Sequence, residues 1–320
     1  SRTRYSCPRK VRTFGLRGAR RAPSSAYRRP PSGSPRIVCV RPRPTSARAF
    51  PGAISTARLT AATLAGRLAG AASRITRRGT GASIQGKVML KLDPGALGKL
   101  LSGKRIAVVS GTNGKTTTTH FLASALRESL NQNGNRLVHN ADGANLHHGL
   151  ASALSNHPQA EIAILETDER VVGDIIRLGR PEVLVLLNFS RDELDRHHEI
   201  KGLGRSWREA LADAGPAGPI VVANADEPLI AWAALAAKQV IWVDTATTWT
   251  QDSSLCPKCD ASLVRTQPDD ISGQSGDWYC AGCGLAQPKG DYRVEIGTIV
   301  DRAGHVWDPQ LSVPGTFNIS

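Results

Sequence analysis

The stretch IAVVSGTNGKTTTTHFLASAL, residues 106–126, decides the fold. Its apolar residues at 106–109 are bunched rather than alternating, which reads as a strand buried on both faces. A glycine turn follows, then an amphipathic run from Lys115 to about Leu130 that reads as a helix. Strand, glycine loop and helix in that order form a phosphate cradle. Glycines let backbone N–H groups approach phosphate oxygens, a lysine meets the terminal phosphates and a hydroxyl meets Mg²⁺. Gly111, Thr112, Asn113, Gly114, Lys115, Thr116 and Thr117 occupy this loop and the first turn of its helix. The general GxxxxGK[ST] pattern places a glycine at position 109. Val109 stands there, so the loop is a shortened variant.

Outward from the loop, apolar runs and helical runs alternate. EIAILET (161–167), PEVLVLLN (181–188), PIVVANAD (219–226) and QVIWVD (239–244) read as buried strands. Helices are expected near 169–178, 200–213 and 227–237. The class is α/β, a doubly wound and mainly parallel sheet carrying a P-loop, with ligands at the carboxyl ends of its strands. Upstream, 57–76 reads as an amphipathic helix, IQGKVMLKLD (84–93) as a short strand, and DPGALGKLL (93–101) as a helix opened by Asp93 and Pro94. Downstream, 292–308 alternates like a hairpin turning at Arg302-Ala303-Gly304. Pro314-Gly315 reads as the approach to another helix.

The net charge of +14 is uneven. Residues 1–50 hold 14 of the 41 Lys and Arg residues and no acid, leaving 27 basic against 27 acidic residues in the body. The tail has no sustained apolar period and reads as disordered. It is either an arm attracted to membrane or nucleic acid, or a non-native extension, since Met89 is the only methionine. It lacks the apolar stretch of a secretory signal. No run approaches the roughly 18–20 apolar residues of a membrane span.

Four of the six cysteines fall in two CxxC pairs, Cys256/Cys259 and Cys280/Cys283, 20 residues apart within a polar, turn-rich insertion at 255–290. Thiolates at this spacing fit a tetrahedral Zn²⁺ ribbon. Disulfides are the alternative, less suited to a chain whose other features fit a reducing compartment. A four-cysteine site has no open position for water, so its role would be structural.

The GTNGKTTTT loop resembles that of the Mur ligase family, ATP-dependent enzymes that join an amine to a carboxylate. The resemblance runs from about Ala57 to the end. It implies ATP and Mg²⁺, with Lys115 and Glu166 catalytic and Thr116 and Glu166 at the magnesium. It also implies Asn224, in the VVANADEP turn, at the adenine, with Asp226 structural. LLNFSRDELDRH resembles the segment carrying the family's Asn and Asp, so Asn188, Arg191, Asp192 and Asp195 are candidates, with Asn145, Asn188 and Asp192 open to substrate or a second metal. Many members place His after the first Asp of this segment, and Glu193 stands here instead. Within the family, an inserted four-cysteine ribbon, Gly143-Ala144-Asn145-Leu146 and the Asp168-Glu169 pair resemble the amidating branch, which converts D-glutamate of the lipid II stem peptide to D-isoglutamine. That implies a GatD-like glutaminase partner, work in the cytoplasm or at the inner face of the membrane, and a carboxy-terminal ligase domain beyond Ser320. The implied domains are a segment at 51–100 and an ATP-binding domain at 101–320. Two further readings stay open: another ligase of the family, folylpolyglutamate synthase included, and a zinc-ribbon nucleic-acid binder. The neutral body weighs against nucleic acid as a partner.

Overall fold

The computed structural model describes residues 53–75, 81–129, 136–140, 144–189, 197–245, 254–266, 277–295 and 297–309. Three helices come first: α1 (Ala53–Ile75), α2 (Ala82–Leu92) and α3 (Ala96–Leu101). Then follow β1 (Arg105–Ser110), α4 (Lys115–Ser129), β2 (Leu137–His139), α5 (His147–Asn156), β3 (Ile162–Glu166), α6 (Val172–Gly179) and β4 (Val183–Leu186). Helix α7 (His197–Ala214), β5 (Ile220–Asn224), α8 (Pro228–Ala234) and β6 (Gln239–Asp244) complete the alternation. A small hairpin of β7 (Leu263–Arg265) and β8 (Trp278–Cys280) precedes β9 (Tyr292–Glu295), β10 (Thr298–Asp301) and β11 (Val306–Trp307).

Among the described residues the main sheet runs β11-β10-β9-β6-β5-β4-β1-β3-β2. Pairing is parallel from β2 through β6 and on to β9, and antiparallel only among β9, β10 and β11. Successive side chains of a strand point to opposite faces, and here both faces are covered. Leu165 joins the large core with α3, α6, α7 and α8, whereas its neighbour Ile164 joins Ala123, Leu122 and Leu126 under α4. Both are fully buried. This explains the bunched apolar runs of the central strands.

Residues 84–93 depart from the expected strand, because they form helix α2. The run Val88-Met89-Leu90-Lys91-Leu92 imitates alternation, yet the buried positions are Gln85, Gly86 and Met89, a helical stripe. That stripe lies against α1 and α5. Arg67 Nη2 donates to Ser155 O at 2.5 Å, and Gln85 Nε2 donates to Ser155 Oγ at 3.1 Å and Asn156 Oδ1 at 2.8 Å. A Cβ on Gly86 would sit 1.7 Å from His148 O. Gly86→Ala is therefore expected to destabilise the fold by about 3 kcal/mol, read as a lower urea midpoint.

Asp93 and Pro94 also act differently from expectation. Asp93 closes α2, and α3 begins at Ala96 with Gly95 as its N-cap. The Asp93 carboxylate accepts Gly95 N–H at 3.2 Å and pairs with Lys99 at 2.7 Å. The segment 292–308 is a three-stranded meander rather than a hairpin. The expected turn lies between β10 and β11, and a second turn holds Gly297 at φ 81°. Strand β2 and helix α5 had no counterpart in the sequence reading. The tail at 1–50 and the stretch after Pro314 lie outside the described residues. Among those residues, no helix is long and apolar enough to cross a membrane.

Candidate active site

Strand β1 lies between β3 and β4. The chain leaves β1 toward one edge, returns through β3, then crosses to β4 on the other side. The loops after β1, β3 and β4 therefore open into one crevice at the reversal of strand order, where α/β sheets hold ligands.

The loop after β1 is shaped by the loop after β4. Gly111 has φ 144°, and a Cβ there would lie 2.9 Å from both Asn188 N and Leu187 Cβ. Only glycine allows that approach and that backbone angle. Thr112 N–H donates to Asn188 O at 2.9 Å, Asn113 N–H donates to Asn188 Oδ1 at 2.9 Å, and Asn188 Nδ2 donates to Asn113 O at 3.1 Å. Asn188 thus braces the loop with its backbone and both amide atoms. Gly114, at φ 82°, turns the chain into α4. Thr117 is half-buried in the first turn of that helix.

Lys115 Nζ donates to Gly111 O at 2.5 Å and Thr112 O at 3.0 Å, and pairs with Glu169 Oε1 at 3.2 Å. These acceptors hold the ammonium in the mouth of the loop, where it is largely buried. Glu169 is fixed in turn from α7, because buried Trp207 donates its indole N–H to Glu169 O at 2.8 Å. Phe189 stacks on Trp207 with ring centroids 4.5 Å apart.

Glu166 ends β3 and is 3% exposed. Thr116 Oγ1 donates to its Oε2 at 2.8 Å, and Asn145 Nδ2 donates to its Oε1 at 3.3 Å. Asn140 grips its backbone in both directions. Glu166 N–H donates to Asn140 Oδ1 at 2.8 Å, and Asn140 Nδ2 donates to Glu166 O at 2.7 Å. The sequence reading assigned Asn140 no role. Its signal was an Asn closing the short run Leu137-Val138-His139. Beside this group, the Arg170 guanidinium holds Asp168 below the usual carboxylate range, with burial opposing it. A buried carboxylate and a hydroxyl that converge from two loops supply hard oxygen donors of the kind Mg²⁺ takes.

Asn224 stands apart, at the end of β5, two strands from β1. Its Oδ1 accepts Asp226 N–H at 2.9 Å and Thr245 Oγ1–H at 3.4 Å. Asp226 Oδ2 accepts Thr245 N–H at 3.0 Å and Thr245 Oγ1–H at 2.7 Å. Asp226 ties the turn to the end of β6. Arg191, Asp192, Glu193 and Asp195 lie outside the described residues.

The cysteines form a separate centre. The sulfur atoms of Cys256, Cys259, Cys280 and Cys283 all lie within 4.8 Å of one another, with Cys256 and Cys283 3.6 Å apart and Cys259 and Cys280 3.4 Å apart. None of the four is in a disulfide. Zn–S bonds of about 2.3 Å in a tetrahedron put sulfurs roughly 3.8 Å apart, so the cluster has the size for one such ion. Burial pushes the Cys256 thiol up to about 12. Burial also raises Cys280, but hydrogen bonds from Cys259 and the other cluster members outweigh it and bring that thiol down to about 7.

Loop, carboxylate and strand order together define a P-loop-type α/β domain, and residues 109–259 match the family model for the Mur ligase middle domain. The chain belongs to the Mur ligase family. It is homologous to the MurT subunit of the glutamine-hydrolysing lipid II isoglutaminyl synthase. Against that subunit from Staphylococcus aureus strain N315 it is 30% identical over 240 residues, 71% of this chain and 52% of the relative. Against that of Streptococcus pneumoniae strain R6 it is 30% identical over 281 residues, 80% of this chain and 60% of the relative. The chain thus spans about half the length of the curated relatives it matches. Among solved structures, a pseudomurein peptide ligase type C from Methanothermus fervidus aligns over 68% of this chain and 44% of its own, with a TM-score of 0.44 and 18% identity.

Proposed function

We propose that the protein is the ligase component of an ATP-dependent amidating enzyme of peptidoglycan synthesis. Its substrate is the α-carboxylate of D-glutamate in the stem peptide of lipid II. A carboxylate oxygen attacks the γ-phosphorus of ATP, and the bond to the bridging oxygen breaks to release ADP. Ammonia then attacks the acyl phosphate carbon, phosphate leaves, and the nitrogen loses a proton to give D-isoglutamine. The observation that carries the reading is the meeting of Lys115, Thr116 and Glu166 at the reversal of strand order, with Thr116 Oγ1 2.8 Å from Glu166 Oε2.

Phosphoryl transfer asks a protein mainly for positioning and for charge to offset the phosphate oxygens. Gly114 to Thr117 would present backbone N–H groups to the phosphates, the N–H groups of Thr112 and Asn113 being held by Asn188, and Lys115 would exchange one of its present acceptors for a phosphate oxygen. Thr116 and Glu166 would hold Mg²⁺, which neutralises phosphate charge when bound. Asn140 and Asn145 would keep Glu166 aimed at that point. Asn188 would set the loop's shape. Asn224 would meet the adenine. The four thiolates would hold a structural Zn²⁺.

The amidating branch is supported by the relatives' description as subunits of a glutamine-hydrolysing lipid II isoglutaminyl synthase. A glutaminase partner, GatD-like, would deliver ammonia unprotonated, since ammonium has no lone pair for the acyl carbon. The full-length protein with that partner would work on the cytoplasmic face, where the lipid-linked substrate is built.

The test is isotopic. A stem peptide labelled with ¹⁸O in the glutamate α-carboxylate should pass one label to inorganic phosphate during amidation, as an acyl phosphate requires. Amide formed with no label in phosphate would contradict the route.

A further inference from the structure

The four-cysteine module is inserted between β6 and β9, which are direct neighbours in the main sheet, so the sheet would close without it. Yet the module does not stand clear of the sheet. Trp278, 1% exposed, reaches out of β8 and donates its indole N–H to Ala225 O at 3.0 Å. Gln287 Nε2 donates to Asp226 Oδ1 at 3.0 Å. The two gripping residues are themselves locked together, because Trp278 N–H donates to Gln287 Oε1 at 3.2 Å and Gln287 N–H donates to Trp278 O at 2.9 Å. Arg265 of β7, partly buried, adds its charge near Glu227 and Asp226.

The hydrogen bonds that Trp278 and Gln287 send to the sheet fall on one turn, Asn224-Ala225-Asp226. From the other side that turn is held by β6, through Ala225 N–H to Val243 O at 2.8 Å and through Thr245. It lies at the carboxyl end of β5, with β4 between it and β1. Two strand spacings amount to about 10 Å, the reach of a nucleotide whose phosphates rest on the loop after β1.

We propose that the four-cysteine module positions the nucleotide's base. Trp278 and Gln287 fix the 224–226 turn so that Asn224 is presented to adenine at the right height. They are positioning residues, acting through Asn224. Because Trp278 belongs to the strand that carries Cys280, metal loading of the module sets the affinity for the base. The inference rests on the reading of Asn224 as the adenine contact.

Two conservative variants test it in the zinc-loaded, full-length protein. Trp278→Phe keeps a ring and removes the N–H donor, and Gln287→Leu keeps bulk and removes the amide. Lys258→Ala, at an exposed position of the module, serves as control. ATP and inorganic tripolyphosphate are titrated calorimetrically, with zinc content and circular dichroism measured alongside. Loss of one buried hydrogen bond weakens binding about tenfold. The expected result is an ATP Kd raised about tenfold in both variants, KM following Kd, kcat nearly unchanged, and tripolyphosphate affinity unaltered. ATP binding at wild-type strength in a variant that keeps its zinc would overturn the inference alone. Equal weakening of ATP and tripolyphosphate would also overturn it, since the effect would then not belong to the base. A wild-type protein that binds tripolyphosphate and ATP equally well would remove the adenine reading itself, and the inference with it. Should Trp278→Phe lose its zinc, Gln287→Leu decides, being outside β8, the strand that carries Cys280.

Discussion

Lys115→Ala is expected to lower ATP turnover by about 10³-fold while leaving the fold intact. The side chain is not among the apolar residues of the core. Its ammonium is held by Gly111 O, Thr112 O and Glu169 at the mouth of the loop. Folding therefore does not need its charge, but a phosphoryl group in transfer does. Removing one preorganised donor from a developing negative charge costs roughly 10²–10³ in rate, and a lysine also supplies a full positive charge. The alanine variant further leaves Glu169 facing the phosphates without its partner, which adds repulsion. ADP release measured beside circular dichroism checks this. A folded variant that turns over ATP within tenfold of wild type would show that the loop does not carry the chemistry.

Stripping the metal from the four-cysteine module is the second large effect. Structural zinc supplies roughly 10–16 kcal/mol of binding free energy in small metal-dependent modules. The hairpin of β7 and β8 has little apolar core of its own, since Leu255 and Val264 are among the exposed large side chains. Cys256→Ser, or chelation of the wild-type protein, should unfold the module and expose Trp278. The readout is a red shift in tryptophan emission that the Trp278→Phe variant lacks. The sheet should survive, because β6 and β9 pair independently of the insertion. Loading should weaken as pH falls, since protons compete with the ion for thiolates. Cys280, near 7, gives up its proton readily, whereas Cys256, near 12, ionises only with the ion's help. A chelator that leaves Trp278 emission unchanged would contradict a metal-held module.

What was legible in the sequence divides along a physical line. The central strands were readable because burial on both faces demands unbroken apolar runs, as in 106–109 and 183–186. The loop was readable because the tight passage from β1 into α4 needs glycine, with Gly111 at φ 144° and Gly114 at φ 82°. Helix α2 was misread because Val88, Leu90 and Leu92 alternate by accident, while its true packing face includes a glycine and a glutamine that hydropathy does not mark. Strand β2 is three residues long, and its assignment depends on partners in β3 that no local pattern encodes. The brace of Asn188 on the loop and of Asn140 on Glu166 join residues 75 and 26 positions apart. Such hydrogen bonds arise only once the sheet order is set. The grip of Trp278 on Ala225 belongs to the same kind.

The measurement that tests the central claim most directly is amidation itself. The full-length protein is combined with its glutaminase partner, lipid II, glutamine, Mg²⁺ and ATP, and the stem peptide is examined by mass spectrometry, with Lys115→Ala in parallel. The account predicts conversion of the glutamate α-carboxylate to an amide, with ADP formed in equal amount, and neither product in the variant. ATP consumed with the stem peptide unchanged would contradict it and redirect the search to another carboxylate acceptor.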